Sequence, residues 1–451
     1  MPAVEEFGVE PIPAELRTVG WRDLFAINFT FFLNPVMYLL GAFAVVDGGL
    51  PLWWAVAATV VGQALAYAVL VVIAEPGVDH GLPGQVAMRA TLGFWGSRLL
   101  SSPYRVVAAT YWFAAQALTG GLGIQALVRA MPGHHHLPLV PTALALAAFH
   151  ATLAVLGFDV MRWLLRVVLP VSLAFTAILI GLYVSTSDSR FAVSHVFSSP
   201  HQHLTWVGFA TYVTVMAGAS LTLVGNIADV CRYTPTRRDV RVGLTASALA
   251  ATLVTTFVGG YAAAATGETN PFVAVARLTS GTALLAVLAV AIVVQGIAAN
   301  LTNAYTAGLS LVNTAPALGR VRSTVLVGAA ALALSGFPDF VNHAQTWITH
   351  LGNVAAPLAG VVLADHLVRR RRRIDVEALF DPDGRYRFLN GVNVEAILAV
   401  AGAVAVYYAL PQSWLKVAWG LGAGAAIYLG LVAVARALAP RAAAEAPPVV
   451  R

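Results

Sequence analysis

The sequence predicts an all-α integral membrane protein of twelve transmembrane helices. Three observations predict it. Hydrophobic residues make up 59 % of the 451 and charged residues only 11 %, whereas soluble domains average roughly 45–50 % and about 25 %. The mean hydropathy is +0.76. Apolar runs long enough to cross a bilayer core, about 20 residues each, recur twelve times. This composition excludes a soluble enzyme, a disordered chain and a collagen-like fibre.

The runs fall at 23–46, 52–75, 102–128, 139–157, 161–185, 205–227, 242–266, 280–313, 322–337, 344–368, 390–410 and 415–437. They lack the alternation of barrel strands, so helix is the assignment. The eighth run is too long for one upright span and must tilt or project beyond the lipid. Residues 1–21, with two early glutamates and no basic n-region, do not read as a cleavable signal peptide. They form a cytoplasmic segment before a ten-helix core at 22–368. A basic loop at 369–389, two further helices at 390–437 and a tail at 438–451 follow.

Orientation follows from the cations. With the N-terminus in the cytoplasm, only Arg129, Arg190, Arg277 and Lys416 fall outside; the other 23 of 27 Lys and Arg face inward. This positive-inside bias puts both termini in the cytoplasm, and the expected location is the cell membrane (bacterial inner or plasma membrane), crossed many times. The bias also disposes of nucleic acid as a partner, despite a pI of about 9.6. The arginine run 369–373 reads as a lipid-headgroup or partner site, or more plainly as a stop-transfer anchor. Cys231 is the only cysteine, so there is no internal disulfide and no zinc spacing. Nothing implies an obligate protein partner or a cofactor.

A duplication is suggested at about 22–186 and 205–368. Asn34-Pro35 interrupts span 1, and a small-residue stretch from Ala217 to Asn226 occupies span 6. Interrupted helices at matching places in two halves point to a transporter's binding site. Pro35 frees carbonyls near Phe31 and Phe32 for a cation or substrate, unless it makes only an ordinary kink.

Polar side chains inside spans carry the chemistry. Trp112 and Gln116, four apart, share one face of span 3. An indole face and an amide edge suit a flat, hydrogen-bonding heteroaromatic ring. The plain alternative is a packed tryptophan and an interhelical amide bond. Span 6 offers Ser220, and then Asp229 and Arg232 as an ion pair or gate at the cytoplasmic end. Span 8 offers Gln295, Asn300, Thr302 and Asn303, with the two asparagines on one face; helix–helix glue is the alternative. His134, His135 and His136 read as a solvated outer loop, and His150 and His350 as structural histidines or proton relays. Spans 1, 3, 6 and 8 carry no charge away from their ends, which favours a neutral substrate. No nucleophilic triad, Walker loop or haem motif supports an enzyme or an ATP-driven pump.

Three stretches resemble the nucleobase–cation symporter family of purine and cytosine permeases with allantoin, hydantoin and uracil carriers. They are GVDHGLPGQVAMRATLGFWGSRLLSSPYRVVAATYWFAAQALTGG, NIADVCRYTPTRRD, and APLAGVVLADHLVRRRRRIDVEALF with GRYRFLNGVNVEA. The resemblance runs from about residue 20 to 410. It implies a LeuT-like fold of two inverted five-helix repeats plus two C-terminal helices, working by alternating access. It implies substrate contacts at Trp112, Gln116, near Asn34, and at Asn300 or Asn303 depending on register. The family's second stacking tryptophan aligns with Ser220, so Tyr212 or Phe32 would have to substitute. The Ser-Thr pair of sodium-coupled relatives aligns with Val294 and Gln295, or with Ala298 and Ala299, which favours H+ over Na+ as coupling ion. Phe31, Gln295 and Thr302 remain candidate cation contacts. The expected function is import of a nucleobase or related heterocycle. The alternatives are a non-transporting membrane sensor of the same fold and a carrier of another small solute such as a vitamin.

Overall fold

The computed structural model describes residues 8–133, 136–155, 158–198, 203–411 and 413–438, with side chains from 166 onward in the third stretch. His134, His135 and the tail beyond 438 lie outside the described residues. Among those residues the fold is helical throughout, with one isolated bridge between Leu389 and Val392. Fourteen helices organise it: α1 (Trp21–Phe32), α2 (Pro35–Val46), α3 (Leu52–Ile73), α4 (Ser102–Arg129), α5 (Leu139–Val155), α6 (Phe158–Ser185), α7 (Trp206–Leu221), α8 (Ile227–Cys231), α9 (Arg237–Thr266), α10 (Thr282–Thr314), α11 (Gly319–Leu334), α12 (Ala344–Ala364), α13 (Val394–Ala409) and α14 (Lys416–Leu438).

Among the described residues eight helices are long and apolar enough to cross a membrane, and the bent pair α1–α2 makes a ninth. The remaining expected spans are helices that fall short of that measure. α5 and α13 have 17 and 16 residues. α4 has 28 but is diluted by polar residues, among them Arg105, Gln116 and Thr119. Helix α10 is one unbroken helix of 33 residues, about 50 Å at ~1.5 Å per residue, longer than the ~30 Å hydrocarbon core. The stretch between spans 2 and 3, outside every apolar run of the sequence, is a chain of short turns of helix from Glu75 to Ser101. Single turns carry no apolar periodicity long enough to detect.

Span 1 is broken, not merely kinked. α1 and α2 meet at 60°. Leu33 leaves helical geometry, and Asn34 is extended (φ −134°, ψ 161°) and caps α2 through Met37 N–H, with Pro35 in the first position. A proline there surrenders only a donor that would be orphaned anyway. Span 6 breaks too. After α7 the backbone passes through a 3-10 turn at Thr222–Gly225 and a non-helical Asn226 before α8.

Packing separates two groups of helices. In one, α3 lies on α7, and α9 lies on α1, α2 and α3. In the other, α4 lies along α10, with α5 and α11 against both. Close approach in the first group depends on small residues. A Cβ on Gly259 would stand 2.0 Å from the Tyr38 carbonyl oxygen, and one on Gly41 2.6 Å from Thr256 Cα. The breaks in spans 1 and 6 face the α4–α10 pair.

Candidate functional site

Where the breaks meet α4 and α10 there is a small cavity. It is lined by Phe31, Phe32, Asn34, Met37, Trp112, Gln116, Ala219, Ser220, Thr222, Leu223 and Asn303. Its free volume is about 20 Å³, room for about one water. A six-membered ring fits only if the walls part.

Each polar wall residue is tied across elements. Trp112 on α4 donates its indole N–H to Thr222 Oγ1 at 3.1 Å. Thr222 stands in the span 6 break and donates to the Ala219 carbonyl at 2.6 Å. Gln116 sits one turn beyond Trp112 and donates to Asn34 Oδ1 at 2.7 Å. Asn34 Nδ2 in turn donates to the Phe31 carbonyl at 2.6 Å, one of the groups that Pro35 leaves without its helical donor. Ser220 donates to Gln63 Oε1 on α3 at 2.6 Å. On α10, Asn303 Oδ1 accepts from Arg105 Nη2 at 3.3 Å, and the same nitrogen donates to Thr306 Oγ1 at 2.8 Å. Gln116 Oε1 is buried without a partner. An unpartnered buried acceptor is costly, and here it is supplied by the amide that faces the cavity.

Of the sequence candidates, Trp112, Gln116, Asn34, Phe31, Phe32, Ser220 and Asn303 are brought together. Asn300 is not on this cavity. One helical turn away from Asn303, its Nδ2 lies 3.0 Å from His150 Nδ1, and His150 Nε2 donates to the Val293 carbonyl at 3.0 Å. Three residues rotate a helix by about 300°, enough to send one asparagine to the cavity and the other to α5. Tyr212 does not replace the missing second tryptophan either. It is buried against Gly48, where an added Cβ would stand 2.5 Å from the tyrosine ring. Phe32 does line the cavity. Gln295 is also elsewhere, donating to Tyr38 OH at 3.3 Å. His350 is exposed and contacts Tyr408 OH at 3.0 Å.

A second cavity of about 20 Å³ lies beside the first, lined by Ile27, Asn28, Phe31, Leu223, Asn226, Ile227, Val230 and Thr302. Thr302 donates to the Ala298 carbonyl at 2.9 Å. Asn28 is engaged by Tyr67 and Ser247. Asn226 Oδ1 is buried without a partner. The described residues contain no group of three or more His, Cys, Asp or Glu suited to a metal ion.

Asp229 and Arg232 are fully buried beyond the second break. Asp229 Oδ1 accepts from Gly84 N–H at 2.6 Å. Arg232 donates to the Gly8 carbonyl at 3.1 Å and to Tyr305 OH at 3.0 Å. They therefore tie the N-terminal segment, the short helices after α3 and α10 to the broken span. Sequence reasoning missed Thr222, Gln63 and Arg105. A threonine amid small residues carries no signal of its own, and Arg105 looked like a span-end topology charge. Its complete burial was the feature that mattered.

A family model described as a permease for cytosine/purines, uracil, thiamine and allantoin matches residues 11–429. The hydantoin permease of Microbacterium maritypicum is 26 % identical over 416 residues, covering 88 % of this chain and 82 % of that protein. The allantoin permease of Bacillus subtilis (strain 168) is 24 % identical over 462 residues, covering 91 % and 89 %. Among solved structures, Mhp1, a nucleobase-cation-symport-1 family transporter in a closed conformation with bromovinylhydantoin bound, matches with a TM-score of 0.83. It is 21 % identical, over 96 % of this chain and 97 % of that one. That likeness establishes the fold.

Proposed function

We propose that this chain, which belongs to the family of permeases for cytosine/purines, uracil, thiamine and allantoin, imports a nucleobase or a related flat nitrogen heterocycle by symport with a cation. As a member it is a membrane transporter and not an enzyme. One observation carries the substrate class: a single cavity between two broken spans gathers an indole face with the amides of Gln116, Asn34 and Asn303. No Asp, Glu, Lys or Arg lines it, which suits a neutral ring.

In this reading Trp112 provides the stacking face. Gln116 and Asn303 read hydrogen-bonding edges, and Asn34, Ser220 and Phe32 complete the wall. Substrate entering between the groups would take over the bonds that now join Trp112 to Thr222 and Gln116 to Asn34. Both are exchanges of one hydrogen bond for another, which keeps the cost of opening small. Asp229 and Arg232 gate the cytoplasmic side. Twelve spans cross the membrane, α4, α5 and α13 included, with both termini inside by the distribution of arginine. The helix pairings repeat when five is added to the span number: span 1 on 7 and 6 on 2, 3 on 8, 4 on 9. This supports two five-helix repeats moving against each other.

For the coupling ion, the missing Ser-Thr pair favours H+. The second cavity favours Na+: Asn226 Oδ1 and the Thr302 hydroxyl are neutral oxygens beside broken backbone, and no side chain there exchanges a proton near neutral pH. We adopt the second reading, with Phe31 in its wall. Uptake of labelled cytosine, adenine, uracil, allantoin and hydantoin by cells expressing the protein tests the substrate class. Uptake of at least one, steeper with sodium, is expected. Accumulation of none by cells with intact protein in the membrane would favour a sensor or a carrier of another solute.

A further inference from the structure

The arginine run 369–373 is not used by the transport site, and the structure divides it. Arg369 donates to Tyr428 OH at 2.6 Å and lies 3.7 Å from Asp365. Arg370 donates to Asp365 Oδ2 at 2.6 Å and stacks 4.8 Å over the Tyr386 ring. Arg371 and Arg372 both adopt left-handed backbone, φ 52° and 63°, costly for non-glycine residues. Within that turn Arg372 pairs with buried Glu75 at 3.4 Å. A simple stop-transfer anchor needs none of this.

The outcome is a built cavity. Arg369, Arg370 and Arg373 share it with Arg385 from the following loop and Arg436 from the last turn of α14. Its volume is about 500 Å³, and Asp375 is its one acidic wall residue. Asp375 Oδ1 is occupied by Ala378 N–H at 3.2 Å. Arg373, Arg385 and Arg436 are exposed and make no ion pair with a carboxylate of the described residues. Five guanidinium groups facing one space repel one another unless an anion joins them.

We propose that this cavity binds a phosphate-bearing anion, and its position identifies an acidic lipid headgroup as the source. Guanidinium forks match phosphate oxygens bidentately. Arg369 and Arg370 are already held in place by Asp365 and aromatic rings, so binding orders mainly the other three. Arg369 ends the π-helical turn Asp365–Arg369 that continues α12, and Arg436 lies in the last turn of α14. The cavity therefore lies where two spans leave the hydrocarbon, at headgroup depth, and basic pockets there hold anionic lipids.

The test uses purified full-length protein in a neutral detergent. Its thermal stability is measured with added phosphatidylglycerol, phosphatidylcholine or inorganic pyrophosphate, and lipid retention is counted by native mass spectrometry. Phosphatidylglycerol should raise the melting temperature and phosphatidylcholine should not. The R373Q/R385Q/R436Q variant should retain at least about tenfold less phosphatidylglycerol. R373K/R385K/R436K, which keeps the charge but loses the guanidinium forks, should retain an intermediate amount, clearly more than the glutamine variant, and guards against misfolding as the explanation. A pyrophosphate shift as large as the lipid's supports the phosphate site while moving its source to a soluble anion. Stabilisation by neither, or unchanged lipid retention in the glutamine variant, would overturn the proposal.

Discussion

Gln116 donates to Asn34 Oδ1 across 2.7 Å, and so joins the continuous helix α4 to the break in span 1. Asn34 is at once the cap of α2 and the acceptor for this amide. The residue that makes the break is thus a wall of the cavity. Replacing Gln116 by leucine removes both the donor to Asn34 Oδ1 and the unpartnered Oε1 acceptor that faces the cavity. We expect KM to rise about five- to tenfold, from the loss of roughly 1 kcal/mol per hydrogen bond. Uptake kinetics check this; an unchanged KM contradicts it.

Asn303 lines the cavity and Asn300 contacts His150, so substitutions at the two should act differently. Asn303→Ala should raise KM about fivefold or more with only a modest fall in melting temperature, because Arg105 loses one acceptor and keeps its bond to Thr306. Asn300→Ala should do the reverse, lowering stability by roughly 1–3 kcal/mol because His150 loses its buried partner. Paired uptake and thermal-unfolding measurements distinguish them, and the opposite pattern would return Asn300 to the substrate.

Thr222 orients the indole. Thr222→Val keeps the shape and removes the acceptor of the Trp112 N–H, so stability should fall by roughly 1–3 kcal/mol, while Thr222→Ser should restore it. Unfolding of the detergent-solubilised variants reads this directly.

Sodium coupling predicts that Asn226→Ala weakens the dependence of uptake on external sodium about tenfold while uptake at saturating sodium persists. Uptake driven by a pH gradient and indifferent to sodium would restore proton coupling.

Most of the framework was legible because hydrophobic runs of bilayer length announce themselves. Asn34-Pro35 pointed to an interruption of span 1, break or kink, since proline lacks the N–H donor that a continuous helix needs there. The spacing of four put Trp112 and Gln116 on one helix face, but only the family resemblance, not the spacing, made them substrate contacts. The choice between Asn300 and Asn303 was not, because it turns on the rotation of α10 against α5. Ser220 with Gln63 and Asn303 with Arg105 were equally hidden, since each pair joins residues more than 150 positions apart and no local pattern encodes them. The short helices from Glu75 to Ser101 have no periodicity to read.

The central claim is that a flat ring rests on Trp112. Equilibrium binding of hydantoin, allantoin, uracil, cytosine and adenine to purified wild-type protein and to the Trp112→Ala and Trp112→Phe variants tests it most directly. At least one ring should bind the wild type, bind Trp112→Phe more weakly, and lose roughly 1–3 kcal/mol or more in Trp112→Ala. Equal affinity for the wild type and Trp112→Ala would place the substrate elsewhere.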